Sequence, residues 1–101
     1  MHNLIMLWNE AKRQLVIKEH GVDFARICDI FDDAYGLYRE DIEHSGSETR
    51  YSVVALTAEY GLTFAVFVYQ EDEEIRFITA RKAEKWMVKE YEQQFWRKHI
   101  R

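Results

Sequence analysis

The sequence contains no proline, only four glycines and a single cysteine, Cys28, among its 101 residues. One cysteine cannot form a disulfide within the chain, so the composition does not call for an oxidising compartment. Because Cys28 lies in an apolar helical pattern, it is interpreted as a buried thiol that acts as a small hydrophobic side chain. Without proline, the glycines are the main residues that mark turns.

Long apolar runs and an excess of positive charge are also missing. Residues 1–8 carry a short apolar patch and no basic leader, which predicts neither a signal peptide nor a membrane span, so we expect a cytoplasmic protein. The 14 Lys and Arg residues are outnumbered by 18 Asp and Glu, which gives a net charge of −4. An electrostatic grip on nucleic acid over the whole surface is therefore not expected, and any RNA site must be local.

The sequence offers no recognisable metal site. The four histidines, His2, His20, His44 and His99, have no ligand spacing, and Cys28 has no second cysteine. Zinc sites need several such ligands, commonly at short spacing. Neither a metalloenzyme nor a bound cofactor is predicted.

Apolar residues make up 48% of the chain and aromatic residues 15%, which is far from the composition of disordered proteins. A chain of this length is large enough for one hydrophobic core and too small for two, so residues 1–101 are expected to form a single domain. Hydrophobic periodicity predicts an α+β fold with the element order βααββββα, in which helices pack on an antiparallel sheet. The predicted helices cover residues 9–20, 23–31 and 82–98, and the predicted strands cover residues 4–8, 37–42, 50–57, 62–69 and 74–83.

The last predicted strand, EIRFITARKA, alternates with the period of an extended backbone. Alternation assigns three residues to each side: Ile75, Phe77 and Thr79 to one, and Arg76, Ile78 and Ala80 to the other. Because Arg76 and Arg81 are five positions apart, they are expected to leave opposite faces unless a bulge or the strand end reorients Arg81.

The last predicted helix carries an apolar stripe that should lie on the sheet, formed by Ala83, Trp86, Met87, Tyr91 and Phe95. A basic stripe adjoins it, formed by Lys82, Lys85 and Lys89. Trp96 lies off the apolar stripe, so it is interpreted either as an interface anchor or as a residue that packs against the first helix or strand.

Several short motifs follow one another in a fixed order. They are Trp8, Glu10 and Lys12; His20-Gly21-Val22; Phe24; Phe31-Asp32-Asp33; His44-Ser45; Glu48-x-Arg50-Tyr51; and Arg76-x-Ile78-x-Ala80-Arg81-Lys82-Ala83. Together, from about Trp8 to Glu92, this ordered set resembles the BrnT family, which is similar in fold to RelE-type ribonuclease toxins. Members of that family are usually neutralised by a partner antitoxin, BrnA, that binds DNA and represses their shared operon.

The resemblance implies a toxin of a bacterial type II toxin–antitoxin system that cleaves RNA without a metal or cofactor. A ribose 2′-hydroxyl would attack the neighbouring phosphate. This reaction needs a group that takes the hydroxyl proton, a group that protonates the leaving 5′-oxygen, and fixed positive charge on the phosphoryl oxygens. The implied partners are RNA and a BrnA-type antitoxin, with DNA contacted only through the antitoxin and no membrane. A homodimer and a heterotetramer are both left open for the complex.

On this resemblance, eight side chains are candidate site residues. They are three arginines for phosphate, two histidines for proton transfer and three lysines for substrate binding: Arg50, Arg76 and Arg81; His20 and His44; and Lys12, Lys82 and Lys85. Arginine suits phosphate because its planar fork offers several donors and stays charged. Imidazole suits proton transfer because it exchanges protons near neutral pH.

These candidates also have plainer interpretations. His20, at a helix end, could cap a carbonyl, and His44, in a polar loop, is compatible with an ordinary surface position. Each arginine could equally pair with Glu48, Glu74 or another carboxylate rather than meet RNA.

The chain departs from the family pattern at four positions. Members commonly read W-D-x-x-K-x-x-x-N-x-x-K-H-G over the first helix, whereas this chain has Asn9 for the acid, Val16 for the asparagine and Glu19 for the lysine. Met87 stands where a glutamate is frequent in the last helix, which removes a potential general base. These differences keep a second function open, that of a noncatalytic BrnT-like domain that binds an antitoxin and regulates transcription with it.

Overall fold

The structure is a computed structural model that describes residues 4–99, with side chains for residues 4–98. Its elements are β1 (Ile5–Leu7), α1 (Glu10–His20), β2 (Leu37–Asp41), β3 (Arg50–Thr57), β4 (Gly61–Gln70), β5 (Glu74–Lys82) and α2 (Lys85–His99). The strands form one five-stranded sheet in the order β1-β5-β4-β3-β2. Among the histidines considered as ligands, His2 and the imidazole of His99 lie outside the described part.

The predicted α+β class and element order are confirmed, and one strand differs in direction. Strands β2 to β5 are antiparallel neighbours, as predicted. Strand β1 instead pairs in parallel with β5, from Ile5 opposite Glu74 to Leu7 opposite Arg76. A strand this short carries no sequence signal for direction, because its direction follows from where the chain enters the sheet.

Helix α1 is capped where the sequence predicts. The Asn9 Oδ1 atom accepts a hydrogen bond from the backbone N–H of Lys12 at 2.9 Å, which makes Asn9 the N-cap. Gly21 ends the helix at a φ of 70°, a left-handed conformation that glycine adopts without strain at Cβ. Its N–H donates to the carbonyl of Ile17 at 2.9 Å.

The predicted second helix is wrong in type. This segment forms two short 3₁₀ helices, Phe24–Arg26 and Cys28–Asp32, separated by Ile27. Phe24, Ile27 and Ile30 are all fully buried. Their spacing of three residues places them on one side of a helix with three residues per turn. The apolar pattern is therefore satisfied by the tighter helix as well as by an α-helix.

Each face of the sheet carries an apolar cluster. On one face, α1 and the 3₁₀ helices cover buried residues from three strands: Val53, Ala55, Ala65, Phe67, Ile75, Phe77 and Ala80. We call this the α1 face. On the opposite face, which we call the α2 face, α2 packs against Val54, Leu62 and Phe64. Strand β4 lies at the centre of the sheet and is apolar on both sides, as predicted.

Helix α2 begins at Lys85, later than predicted, because β5 continues to Lys82. Met87 and Tyr91 are buried in the predicted stripe, whereas Trp86 is exposed and does not belong to it. Trp96 is also exposed. No helix within residues 4–99 is both long and apolar enough to cross a membrane.

Asp33 fastens α2 to the sheet. Its Oδ2 atom accepts hydrogen bonds from the Tyr91 hydroxyl at 2.6 Å and from the Leu56 N–H at 2.9 Å, and its Oδ1 atom accepts from the Tyr35 N–H at 2.8 Å. Burial by itself would raise the pKa of the Asp33 carboxyl, but these three hydrogen bonds favour the carboxylate and the net shift is downward. A half-buried ionised acid therefore helps to set the position of α2 over the sheet.

An ion pair fastens α1 to the first 3₁₀ helix. The Arg13 guanidinium donates to both carboxylate oxygens of Asp23, at 2.7 and 2.9 Å. These hydrogen bonds hold the pKa of Asp23 at about 2, below its ordinary value of 3.8, although partial burial acts in the opposite direction. A bidentate pair of this geometry is among the stronger charge-assisted contacts in proteins.

Replacing Asp23 with Asn is expected to lower the free energy of unfolding by ~1–3 kcal/mol at pH 7, because charge-assisted hydrogen bonds are lost. Since the folded-state pKa is depressed, this contribution is fully present above about pH 4 and disappears as the pH falls toward 2. Urea unfolding between pH 2 and 7 measures the effect, with the exposed Asp32→Asn as control. Parallel pH profiles for the two variants would contradict the expectation.

Candidate nucleic-acid interface

Strand β5 contains a β-bulge at Ile78. Where β5 pairs with β4, Phe77 lies opposite Phe67 and Thr79 lies opposite Val66. Two consecutive residues of β4 therefore face three of β5, and Ile78 is the residue without a partner. A bulge of this kind shifts the alternation of all the side chains that follow it.

The bulge brings two of the candidate arginines to the same side. Across it, side chains divide into two sets: Ile75, Phe77 and Ala80 on the α1 face, and Arg76, Thr79 and Arg81 on the α2 face. The alternation predicted from the sequence is therefore wrong after Phe77. Arg76 and Arg81 lie on one face. The sequence analysis expected them on opposite faces unless a bulge or the strand end reoriented Arg81, and the bulge does so.

Arg50 lies on that face as well. In the strand register, Arg50 is opposite Val68 and Val68 is opposite Arg76, so the Cα atoms of the two arginines flank Val68 at a separation of about 10 Å. Arg81 is opposite Phe64, which lies about 13 Å along the strands from the row formed by Arg50, Val68 and Arg76. Its guanidinium carbon lies 5.0 Å from the centre of the Phe64 ring. We call Arg50, Arg76 and Arg81 the arginine patch.

Two residues of the arginine patch have acidic partners. Arg76 pairs with Glu48 in the loop before β3, and Arg81 pairs with Glu84 at 2.9 Å. These two arginines therefore have the carboxylate partners that the plainer interpretation allowed: Glu48 for Arg76, and another carboxylate, Glu84, for Arg81. Within the described part of the chain, the Arg50 guanidinium has no ion pair or hydrogen bond.

The same two arginines each contain an unsatisfied donor. The Nε atoms of Arg76 and Arg81 are buried and have no hydrogen-bond partner among the described residues. Buried donors without a partner are uncommon in folded proteins and call for an explanation. Because these two atoms are closed to solvent, an oxyanion would meet the terminal N–H groups of the partly exposed guanidiniums and not Nε.

His44 lies beside the patch and is oriented by a carboxylate. Its Nδ1 atom is 3.0 and 3.1 Å from the two carboxylate oxygens of Asp41, and Asp41 is the residue of β2 directly opposite Arg50. The Ser45 hydroxyl donates to the Asp41 carbonyl at 2.6 Å and accepts from the Arg50 N–H at 2.8 Å. The loop that carries His44 is therefore fixed next to Arg50, and its imidazole is largely exposed.

Three of the remaining candidates lie on the other side of the sheet from the arginine patch. Lys12 and His20 belong to α1, whose core residue Val16 packs on the opposite side of the sheet. Lys82 is opposite Thr63 and projects toward that same α1 face. Lys85, the first residue of α2, is exposed.

Two residues near the patch were missed by the sequence reasoning. Asp41 orients His44, and Arg39, opposite Ser52 on the α2 face, pairs with Glu90 of α2 at 2.7 Å. The signal that could have found them is strand alternation, because Arg39 and Asp41 fall on the same side of β2.

Three of the four departures from the family pattern have clear structural roles. Asn9 caps α1, and Val16 is buried in the core of the α1 face. Met87 is 2% exposed and packs with Val54 and Tyr91, so the position lies in an apolar cluster. Glu19 is exposed on α1.

Comparison with known proteins identifies the family. The family model described as "Ribonuclease toxin, BrnT, of type II toxin-antitoxin system" matches residues 8–86. The chain belongs to the BrnT ribonuclease toxin family. A BrnT toxin acts on RNA and has an antitoxin partner, because these define a ribonuclease of a type II system. No curated protein matches the sequence significantly.

A solved BrnT structure has the same fold. The crystal structure of the Brucella abortus ribonuclease toxin BrnT, at 1.1 Å resolution, superposes with a TM-score of 0.63 at 21% sequence identity. The match covers 82% of this chain and all of the Brucella chain. Among the side chains described in the present BrnT-family structure, no group of three His, Cys, Asp or Glu is placed to hold a metal ion.

A glutamate at position 87, which the family resemblance suggested, is expected to destabilise this chain. Met87→Glu would place a carboxylate in an apolar cluster without a partner, so the free energy of unfolding should fall by about 3 kcal/mol or more. Met87→Leu keeps the volume and should cost less than about 1.5 kcal/mol. Urea unfolding of both variants measures the difference, and equal stabilities would contradict the apolar environment of this position.

Proposed function

We propose that this chain cleaves RNA without a metal ion on the α2 face of its sheet, in the manner of RelE-type toxins, and that a BrnA-type antitoxin neutralises it. The observation that carries the proposal is the placement of three arginines on one face: Arg50 and Arg76 flank Val68, and Arg81 lies opposite Phe64 on the same face. Because the chain carries a net charge of −4, a local cluster of cations is what an RNA-binding site in it requires. DNA would be reached only through the antitoxin.

The reaction is a transesterification within the RNA. The ribose 2′-oxygen forms a bond to the adjacent phosphorus while the bond from phosphorus to the 5′-oxygen breaks, which leaves a 2′,3′-cyclic phosphate and a 5′-hydroxyl. One proton leaves the 2′-hydroxyl and one reaches the departing 5′-oxygen. Negative charge on the phosphoryl oxygens grows in between, and the arginine patch would stabilise that charge.

His44 is the residue we assign to proton transfer. Asp41 contacts its Nδ1 atom, which would leave Nε2 directed away from that carboxylate and able to exchange a proton. His20 is an exposed residue of α1, and α1 covers the opposite face of the sheet, so we do not place His20 in the reaction. Lys85, at the exposed start of α2, remains suited to binding RNA outside the reacting phosphate.

The ion pairs of Arg76 and Arg81 favour a second function. Glu48 and Glu84 already neutralise two of the three arginines in the patch. Met87 is a buried apolar residue at a position where the family resemblance suggested a glutamate. These features fit a noncatalytic domain that binds its antitoxin and regulates transcription with it. In the catalytic function, by contrast, RNA phosphates displace both carboxylates.

Substitution of the arginine patch tests catalysis directly. We expect Arg50→Ala and Arg81→Ala each to lower the rate of RNA cleavage by at least ~100-fold, because each removes charge stabilisation at the phosphate. His44→Gln should have a similar effect, and His20→Gln little. The measurement is single-turnover cleavage of a 20-nucleotide RNA, with detection of the cyclic phosphate product.

Arg26→Ala is the matched control, because Arg26 is an exposed arginine of the 3₁₀ segment, on the α1 side of the sheet. It should change the rate less than about twofold, and far-ultraviolet circular dichroism should show every variant folded. Excess EDTA should leave the rate unchanged. Wild-type chain that leaves RNA intact, yet binds its antitoxin tightly, would support the noncatalytic function instead.

Removing the acid that holds Arg76 separates the two functions further. If RNA displaces Glu48, then Glu48→Gln should tighten RNA binding by up to ~5-fold, which is the range of a partly exposed ion pair. Glu43→Gln removes the same charge from an exposed loop position and serves as control. Fluorescence anisotropy with a labelled 20-nucleotide RNA gives both affinities. A Glu48 effect no larger than the Glu43 effect would count against RNA contact at Arg76.

A further inference from the structure

An open groove lies on the α1 face, at the end of the sheet that α1 and the 3₁₀ helices leave uncovered. Its volume is about 900 Å³, and its walls are mainly aromatic: Phe31, Tyr38, Tyr51, Phe67, Tyr69 and Ile75. We call it the aromatic groove. The arginine patch lies on the other side of the sheet, so the groove is a separate surface.

The floor of the aromatic groove is a rigid extension of the core. Phe67 and Ile75 are almost fully buried. The Phe67 ring contacts Phe31 edge-on at 5.1 Å between centroids and stacks on Tyr51 at 5.9 Å. Rings locked in this way cannot close the groove by repacking, so an apolar side chain from a partner would enter a preformed pocket.

The rim presents two aromatic side chains to solvent. Tyr38 of β2 is 50% exposed and Tyr69 of β4 is 54% exposed. Tyrosines at the edge of a pocket combine a large apolar area with a polar tip, which makes them frequent anchors of protein interfaces.

The charge around the groove is negative. Glu71 lines it together with Glu48, which is already paired with Arg76, and none of its described lining residues is a lysine or arginine. Asp72 and Glu73 follow Glu71 in the turn between β4 and β5, and Glu40 lies opposite Tyr51 on the same face. An acidic rim repels RNA and attracts a segment that carries lysine or arginine.

The acidic turn is maintained against local backbone preference. Asp72 and Glu73 have φ angles of 59° and 61°, and the Glu74 N–H donates to the Glu71 carbonyl across them. Turns of this type favour Asn-Gly, because side chains beyond Asn and Asp are strained at positive φ. The turn therefore carries two acidic residues directly after Glu71, which lines the groove.

We propose that the aromatic groove binds the antitoxin, through a segment in which aromatic or aliphatic anchors alternate with lysine or arginine. This inference rests on the proposed function for the identity of the partner. Charge complementarity selects this occupant: RNA carries the wrong sign, and two grooves facing each other would place acidic rims together. The anchors fill the space between Tyr38 and Tyr69, and the cations meet Glu48 and Glu71.

Glu48 connects the groove to the arginine patch. It lines the groove and is also the partner of Arg76. An antitoxin cation that binds Glu48 competes with Arg76 for the same carboxylate. Binding of the antitoxin in the groove is therefore coupled to the charge of Arg76 on the opposite face of the sheet.

The test uses the full chain and the protein encoded by the reading frame adjacent to its gene. Isothermal titration calorimetry should show that Tyr38→Ala and Tyr69→Ala each weaken binding by about tenfold or more. Glu71→Lys should weaken binding and reduce its dependence on salt. Trp86→Ala and Trp96→Ala, at exposed aromatic residues outside the groove, should change it less than about twofold.

Three results would overturn the inference. The first is that Trp96→Ala weakens antitoxin binding while the two tyrosine variants have no effect, which would place the interface on α2. The second is sedimentation showing that the chain alone self-associates and that Tyr69→Ala abolishes this. The third is loss of affinity of Tyr69→Ala for the labelled 20-nucleotide RNA. Thermal melting of each variant shows that the fold is retained.

The groove and the catalytic proposal can fail separately. If the wild-type chain leaves RNA intact but binds the antitoxin through the tyrosines, the ribonuclease proposal fails and the groove proposal stands. If the wild-type chain cleaves RNA, and the antitoxin inhibits it equally well after Tyr38 and Tyr69 are replaced with alanine, the groove proposal fails and the ribonuclease proposal stands.

Discussion

The β-bulge at Ile78 is the constraint on which both faces of the sheet depend. Regular alternation from Phe77 would direct Thr79 and Arg81 into the core of the α1 face, where an unpaired guanidinium would be very costly. The extra residue places Ala80 in that core and returns Arg81 to the side of Arg76. One unpaired residue thus preserves the hydrophobic core and assembles the arginine patch.

The two faces carry opposite local charge within an acidic protein. Arg50 and Arg76 flank Val68 on the α2 face, and acids lie at the strand ends beside the aromatic groove. Local charge of this kind makes a cationic patch compatible with a net charge of −4, because at physiological ionic strength charges interact over only about 8 Å. Glu48 is the residue common to both surfaces.

Much of the fold was predictable because it follows from local rules. The N-cap at Asn9, the left-handed Gly21 and the bounds of β3 each follow from residue chemistry or from period-two alternation. The 3₁₀ helices were missed because a spacing of three residues suits both helix types. The parallel direction of β1 was missed because it depends on a pairing with β5 that is distant in sequence.

The sequence alone determined the α+β class, the order of the elements, the family motifs and the residue types able to bind phosphate, because these properties depend on neighbouring residues. Only the tertiary structure decided which of those residues meet. The tertiary structure placed Arg50 and Arg76 on either side of Val68 and brought Asp41 to His44. It left Lys12, His20 and Lys82 on the other side of the sheet. It also formed the aromatic groove. The physical reason is that strand register and a single bulge determine which face each side chain occupies, and both are set by pairing between distant segments.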